Sequence, residues 1–113
     1  MSLKKLGEFI RKSREAKNLT TRQFASLIDK TPGAVSQLEN GLFNPSDKLL
    51  YNVSKHLNLN EDVLFALNGK ATKRLQEVIA RRPEMMSQLL TDIDKAPDHA
   101  VLKVIRTVSD GKW

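Results

Sequence analysis

The chain has no cysteine, so neither a disulfide framework nor thiol chemistry is open to it. That composition suits a cytoplasmic protein. Aromatic residues make up only 5% of the sequence, which points to a core built on Leu, Ile and Val. The same scarcity leaves no stacking platform for single-stranded RNA. No apolar run approaches a membrane span of roughly eighteen residues, so no membrane association is expected. The first residues lack the apolar core of a signal peptide. Histidine occurs only at His56 and His99, and no His/Cys/Asp/Glu group has metal-ligand spacing. The five glycines are scattered, so no phosphate-cradling loop can be built from them. With no catalytic constellation, the chain reads as a non-enzyme that needs no metal or cofactor. Strand-type alternation is also missing, and the expected fold class is all-α.

What is present is a basic chain of 113 residues with net charge +6 and an apolar fraction of 40%. That length supports one domain, or one small domain with an appendage. The charge is unevenly placed. Residues 1–60 carry net +5 and residues 61–113 carry net +1. A basic surface attracts polyanions of any sequence by releasing counterions, and it also keeps a domain soluble.

The most informative segment is LTTRQFASLIDKTPGAVSQLENG, residues 19–41. Thr20 is an N-cap, and Gln23 stands at the partner position of a capping box. Phe24, Ala25, Leu27 and Ile28 form one apolar face. After the Asp29-Lys30 interruption, Thr31 caps a second helix with Pro32 at its first position. Val35 and Leu38 continue the apolar stripe, and Asn40-Gly41 ends the helix. Two short capped helices around a tight turn form a helix-turn-helix, whose second helix fits the DNA major groove.

This segment resembles the Cro/C1 (XRE) family, which includes the lambdoid phage repressors. The resemblance rests on Leu19-Thr20, Ala25, Ile28, Val35, Ser36, Leu38 and Glu39-Asn40-Gly41. It extends upstream through Leu6, Gly7, Ile10, Arg11 and Arg14. Downstream it takes in Asn44-Pro45-Ser46, Leu49, Leu50, Val53 and Leu57. The chain departs from the family pattern at Thr21, where glutamine is usual, and at Asp29, where the turn glycine is usual. Few hydrogen-bonding side chains open the second motif helix at Thr31-Pro32-Gly33-Ala34. The resemblance implies a five-helix, lambda-repressor-like DNA-binding domain over residues 1–69. It further implies an internal salt bridge between Arg14 and Glu39.

Base contacts are expected from Gly33, Ala34, Ser36 and Gln37. A glutamine amide at Gln37 can pair bidentately with adenine. Gly33 and Ala34 either touch a thymine methyl or let the backbones come close. Phosphate contacts are expected from Thr21, Arg22, Lys30, Thr31, Asn40, Asn44 and Arg11. For Arg22 and Lys30 a merely solvated face is an equal reading.

A first helix is expected over about residues 3–17. Ser46 caps a fourth, with Leu49, Leu50, Val53 and Leu57 inward and Asn58 as its stop. Asn60 caps a fifth, with Val63, Leu64 and Leu67 inward, ended by Asn68-Gly69. Residues 70–113 form a helical extension. Periodicity predicts a helix over 71–82, a break at Pro83, a second helix through Met85, Met86, Leu89, Leu90 and Ile93, and a third opened by Pro97. Val101, Leu102 and Ile105 lie on the last. Three short helices can hardly bury these side chains among themselves, so they are expected to form a homodimer, with packing back on the first domain of the same chain as the alternative. Met85 and Met86 equally suit ordinary core filling. The expected protein is a dimeric repressor of duplex DNA on an inverted-repeat operator. The alternative is an antitoxin-like module whose last helices hold a different protein partner.

Overall fold

The computed structural model describes residues 2–111, and among these every regular element is a helix. In chain order they are α1 (Leu3–Ala16), α2 (Thr21–Leu27), α3 (Pro32–Glu39), α4 (Asp47–Leu57), α5 (Glu61–Leu67), α6 (Lys73–Arg81), α7 (Pro83–Lys95) and α8 (Asp98–Asp110). The fold is therefore all-α, a helix-turn-helix domain with a helical extension.

Short side chains set the helix starts. The hydroxyls of Ser2, Thr20, Thr31 and Ser46 each accept a backbone N–H from the first turn of the helix that follows. At Thr20 the box is complete: Gln23 N–H donates to the hydroxyl at 3.1 Å, and Thr20 N–H donates to Gln23 Oε1 at 2.9 Å. Left-handed residues set the stops. Asn18 follows α1, Asp29 follows α2 and Asn58 follows α4, all at positive φ near 55°.

The chain divides into two compact units, residues 1–75 and 76–113. The first holds a closed core. Leu6 and Ile10 of α1 meet Phe24, Ala25 and Ile28, then Val35 and Leu38 of α3, Leu50, Val53 and Leu57 of α4, and Leu64 and Phe65 of α5. Two expected core positions are corrected here. Leu27 is 46% exposed and Val63 44% exposed. At 3.6 residues per turn, Phe24, Ala25 and Ile28 already fill the inward arc of α2, and Leu27 falls beside it. On α5 the larger Phe65 takes the inward place and packs its ring 4.8 Å from that of Tyr51, which rotates Val63 outward.

The first unit runs past Gly69 to Leu75 because Thr72 is buried and bonded. Its hydroxyl donates to Asp62 Oδ1 at 2.6 Å and accepts the Leu75 N–H at 3.2 Å. That cap starts α6 at Lys73, two residues later than periodicity predicts. Its end at Arg81 follows from Pro83, which pushes Arg82 out of the helical region to φ −137°, ψ 64°.

In the second unit α7 and α8 have no fully buried residue. Met86, Ile93 and Val101 are half-buried. Met85, Leu89, Leu90, Leu102 and Ile105 are exposed, together with Val104 and Val108.

Candidate nucleic-acid interface

The turn between α2 and α3 is closed by backbone geometry rather than by glycine. Asp29 sits at φ +57°, and the Lys30 N–H reaches back to the Ala25 carbonyl at 2.8 Å. This is the helix-ending bond pattern that a left-handed residue permits. Asn52 of α4 reinforces it by donating its amide to the Ile28 carbonyl at 3.2 Å. The sequence carries no local signal for that bond, since its partners lie 24 residues apart.

Helix α3 buries Val35, Leu38 and Glu39 and turns Gly33, Ser36 and Gln37 to solvent, with Ala34 half-buried between. Two features fix its pose. Gly7 lies where α1 crosses the end of α3. A Cβ there would sit 2.8 Å from the Leu38 carbonyl oxygen and closer still to the Glu39 carbonyl, so only glycine allows the approach. Below it, Arg14 pairs bidentately with Glu39, Nε to Oε2 at 2.6 Å and Nη2 to Oε1 at 2.9 Å. Its remaining Nη1 donates to the Leu19 carbonyl at 2.7 Å. The Arg14 guanidinium is held above its ordinary pKa, chiefly by the hydrogen bonding it donates to Glu39 and against the cost of burial.

Of the expected phosphate-facing residues, Arg11 and Asn40 are tied to the end of this helix. Thr21 is half-buried at the start of α2, while Arg22, Lys30, Thr31 and Asn44 are exposed. Two of the set hold each other: Arg11 Nη2 donates to Asn40 Oδ1 at 3.0 Å. Asn40 also donates to Ser36 Oγ at 3.4 Å, and Arg11 Nε lies 3.6 Å from Glu39 Oε1. Asn44 accepts the Asn68 side-chain amide at 3.0 Å. Lys48 was not singled out from sequence, yet it lines a recess of about 190 Å³ with Lys30, Ser46 and Asn52. A lysine two residues after the Ser46 cap was the available signal. Leu42, in the loop after α3, is 70% exposed. Among the described residues no group of acidic, His or Cys side chains could hold a metal ion. No described helix is long and apolar enough to cross a membrane.

A bracing first helix, two short helices at a tight turn and a solvent-facing row on the second of these define a helix-turn-helix DNA-binding domain. A helix-turn-helix family model matches residues 10–64. Two proteins from different strains of Mycobacterium tuberculosis, each described as an uncharacterized HTH-type transcriptional regulator, are 31% identical to the chain over 94 residues. The match covers 77% of this chain and 67% of each relative. Two crystal structures of the clp gene regulator ClgR from Corynebacterium glutamicum share the architecture. One is 28% identical with TM-score 0.53, covering 59% of this chain and 87% of that one. The other is 21% identical with TM-score 0.54, covering 95% and 92%, and at that identity it shows the fold alone. The chain belongs to the XRE-type helix-turn-helix family of DNA-binding transcriptional regulators.

Proposed function

We propose that the chain is a homodimeric repressor that occupies an inverted-repeat operator and acts by excluding other proteins, without chemistry. The observation that carries this reading is the row Gly33, Ser36 and Gln37, exposed on a helix braced from behind by Gly7 and the Arg14–Glu39 pair. In this reading Gln37 reads an adenine edge, Ser36 a neighbouring edge, and Gly33 and Ala34 allow close approach or meet a thymine methyl. Thr21, Arg22, Lys30, Thr31, Asn40, Asn44 and Arg11 hold the phosphate walls. With few hydrogen-bonding groups on α3, DNA shape supplies part of the specificity.

Residues 70–113 serve as the dimerisation extension, and the work is done in the cytoplasm. Support for the extension's role comes from Met85, Leu89, Leu90, Leu102 and Ile105, all more than one-third exposed in the single chain. Covering such side chains contributes about 25 cal/mol per Å². A two-fold dimer would set two α3 helices about 34 Å apart, one turn of duplex.

Selection of bound duplexes from a random pool tests the reading, with the mass of the free protein measured by light scattering. An inverted repeat bound by a dimer is expected. Recovery of no motif removes the operator reader, and co-purification of a different chain replaces the homodimer by the partner-holding alternative. Gln37→Ala is expected to cost about 1–3 kcal/mol at one base pair of each half-site and to relax preference there.

A further inference from the structure

Beside α3 lies a cavity of about 260 Å³ whose rim shares Lys30, Ala34 and Gln37 with the expected DNA contacts but whose apolar interior none of those contacts fills. Its floor is the buried pair Val35 and Leu38, and its sides are the half-buried Phe43 and Leu49. Lys30 and Gln37 stand exposed at its mouth. A base methyl, about the size of one water molecule at roughly 30 Å³, would leave most of this space empty. An apolar cavity of about 150 Å³ is enough for benzene. The space beside α3 therefore accommodates one ring with a short substituent. Among the described residues, neither the Lys30 ammonium nor the Gln37 amide is engaged in a side-chain hydrogen bond or ion pair. The site thus joins an apolar interior to one free cation and one free amide at the rim.

We propose that this cavity binds a small aromatic monocarboxylate, ring inward against Phe43 and Leu49 and carboxylate outward at Lys30, and that its occupation releases DNA. The regulatory half rests on α3 being the reading helix; binding of the acid does not. A carboxylate at Lys30 neutralises an expected phosphate contact, and the same molecule stands against Gln37, the expected base reader. Ligand and duplex then compete for the same two side chains. Such competition is mutual, each partner weakening the other by the same factor.

Two arms test this on the full chain. In the first, the ¹⁵N-labelled protein without DNA is titrated with benzoate, with benzyl alcohol (ring without charge) and with acetate (charge without ring). Saturable shifts at Val35, Leu38, Phe43 and Leu49 are expected with benzoate. Benzyl alcohol and Lys30→Met should each weaken binding roughly fivefold, the size of one solvent-exposed ion pair. Leu49→Phe, which fills the cavity from a position that is not itself an expected DNA contact, should abolish the shifts. Absence of saturable shifts at these amides, or the same scattered shifts with acetate, overturns the site. In the second arm, benzoate at ten times its own Kd should raise the Kd for selected operator DNA roughly tenfold. An unchanged Kd with the cavity occupied overturns the regulatory half. Failure of the protein to bind any duplex defeats the operator reading alone, because the first arm still decides the ligand.

Discussion

Replacing Glu39 by alanine tests how α3 is held. Glu39 is 4% exposed and Arg14 is 9% exposed, so the pair is nearly shut off from water. The substitution deletes two short charge-assisted hydrogen bonds, at 2.6 and 2.9 Å, and leaves the guanidinium with only the Leu19 carbonyl. It also leaves Arg11, whose Nε lies 3.6 Å from the lost carboxylate, without its anion. Breaking a buried pair by removing one partner costs about 3–5 kcal/mol, because the survivor remains buried and uncompensated. Arg14 keeps one bond, so the lower figure, about 3 kcal/mol, applies. For a unit of this size that lowers Tm by about 12–24 °C.

Thermal unfolding followed by circular dichroism measures the loss, and selection of bound duplexes on Glu39→Ala checks specificity. The side chain faces inward, away from the exposed row of α3, so the selected operator should not change. The double variant Arg14→Met, Glu39→Leu separates geometry from energy. Replacing both charges with apolar groups should restore most of the stability, since a well-packed apolar pair often equals a buried ion pair. A Tm drop under about 2 °C for Glu39→Ala would falsify the bracing role. A changed operator would show that Glu39 reaches DNA instead.

Gly7→Ala should destabilise the first unit by about 1–3 kcal/mol in thermal unfolding, although alanine ordinarily favours a helix by nearly 1 kcal/mol over glycine. A stabilised variant would mean that α1 and α3 separate without cost. Asp62 is held below the ordinary aspartate range by the Thr72 hydroxyl and then by Arg74. Its contribution is therefore present above the ordinary value of about 3.9 and is lost as pH falls through the lower folded value. Protection of the Leu75 amide, corrected for the intrinsic exchange rate, should fall in that acid window, and Thr72→Val should remove this pH dependence; equal acid loss in both proteins refutes the link. Ile105→Glu places a charge on a side chain 53% exposed in the single chain. It should convert the proposed dimer to monomer by light scattering with helix content kept, and a dimer that persists in the variant refutes the proposed interface.

The first five helices were legible because their signals are local. A hydroxyl three residues before an amide makes a cap, and a left-handed Asn, Asp or Gly makes a stop. Ser46 and Asn58 bound α4 on these grounds alone. What was not legible depends on residues distant in the chain. Period alone cannot say whether Val63 or Phe65 faces inward; Tyr51, on another helix, decides it. The Thr72–Asp62 bond spans ten residues and the Asn52 bond to the Ile28 carbonyl spans 24, so neither shows in a helical window. In the candidate site, exposure of Gln37 followed from the stripe Val35–Leu38. The mutual engagement of Arg11 and Asn40 required the crossing of α1 over α3, which Gly7 permits and no periodicity encodes.

Charge divides between the two units more sharply than between the halves of the chain. Residues 1–75 carry thirteen Lys or Arg against seven Asp or Glu, and residues 76–113 carry six against six. The whole excess of +6 therefore belongs to the first unit. Two copies of that unit repel each other in free solution, and the repulsion grows as salt is lowered. Phosphates relieve it only once DNA is bound. In the proposed dimer, association before binding is therefore favoured at a surface without net charge. The second unit meets this condition, and it is also where the exposed Leu, Ile and Val side chains of α7 and α8 lie. Salt should accordingly act on the proposed dimer and on DNA affinity in different ways: added salt weakens the hold on phosphate steeply and leaves apolar self-association nearly untouched.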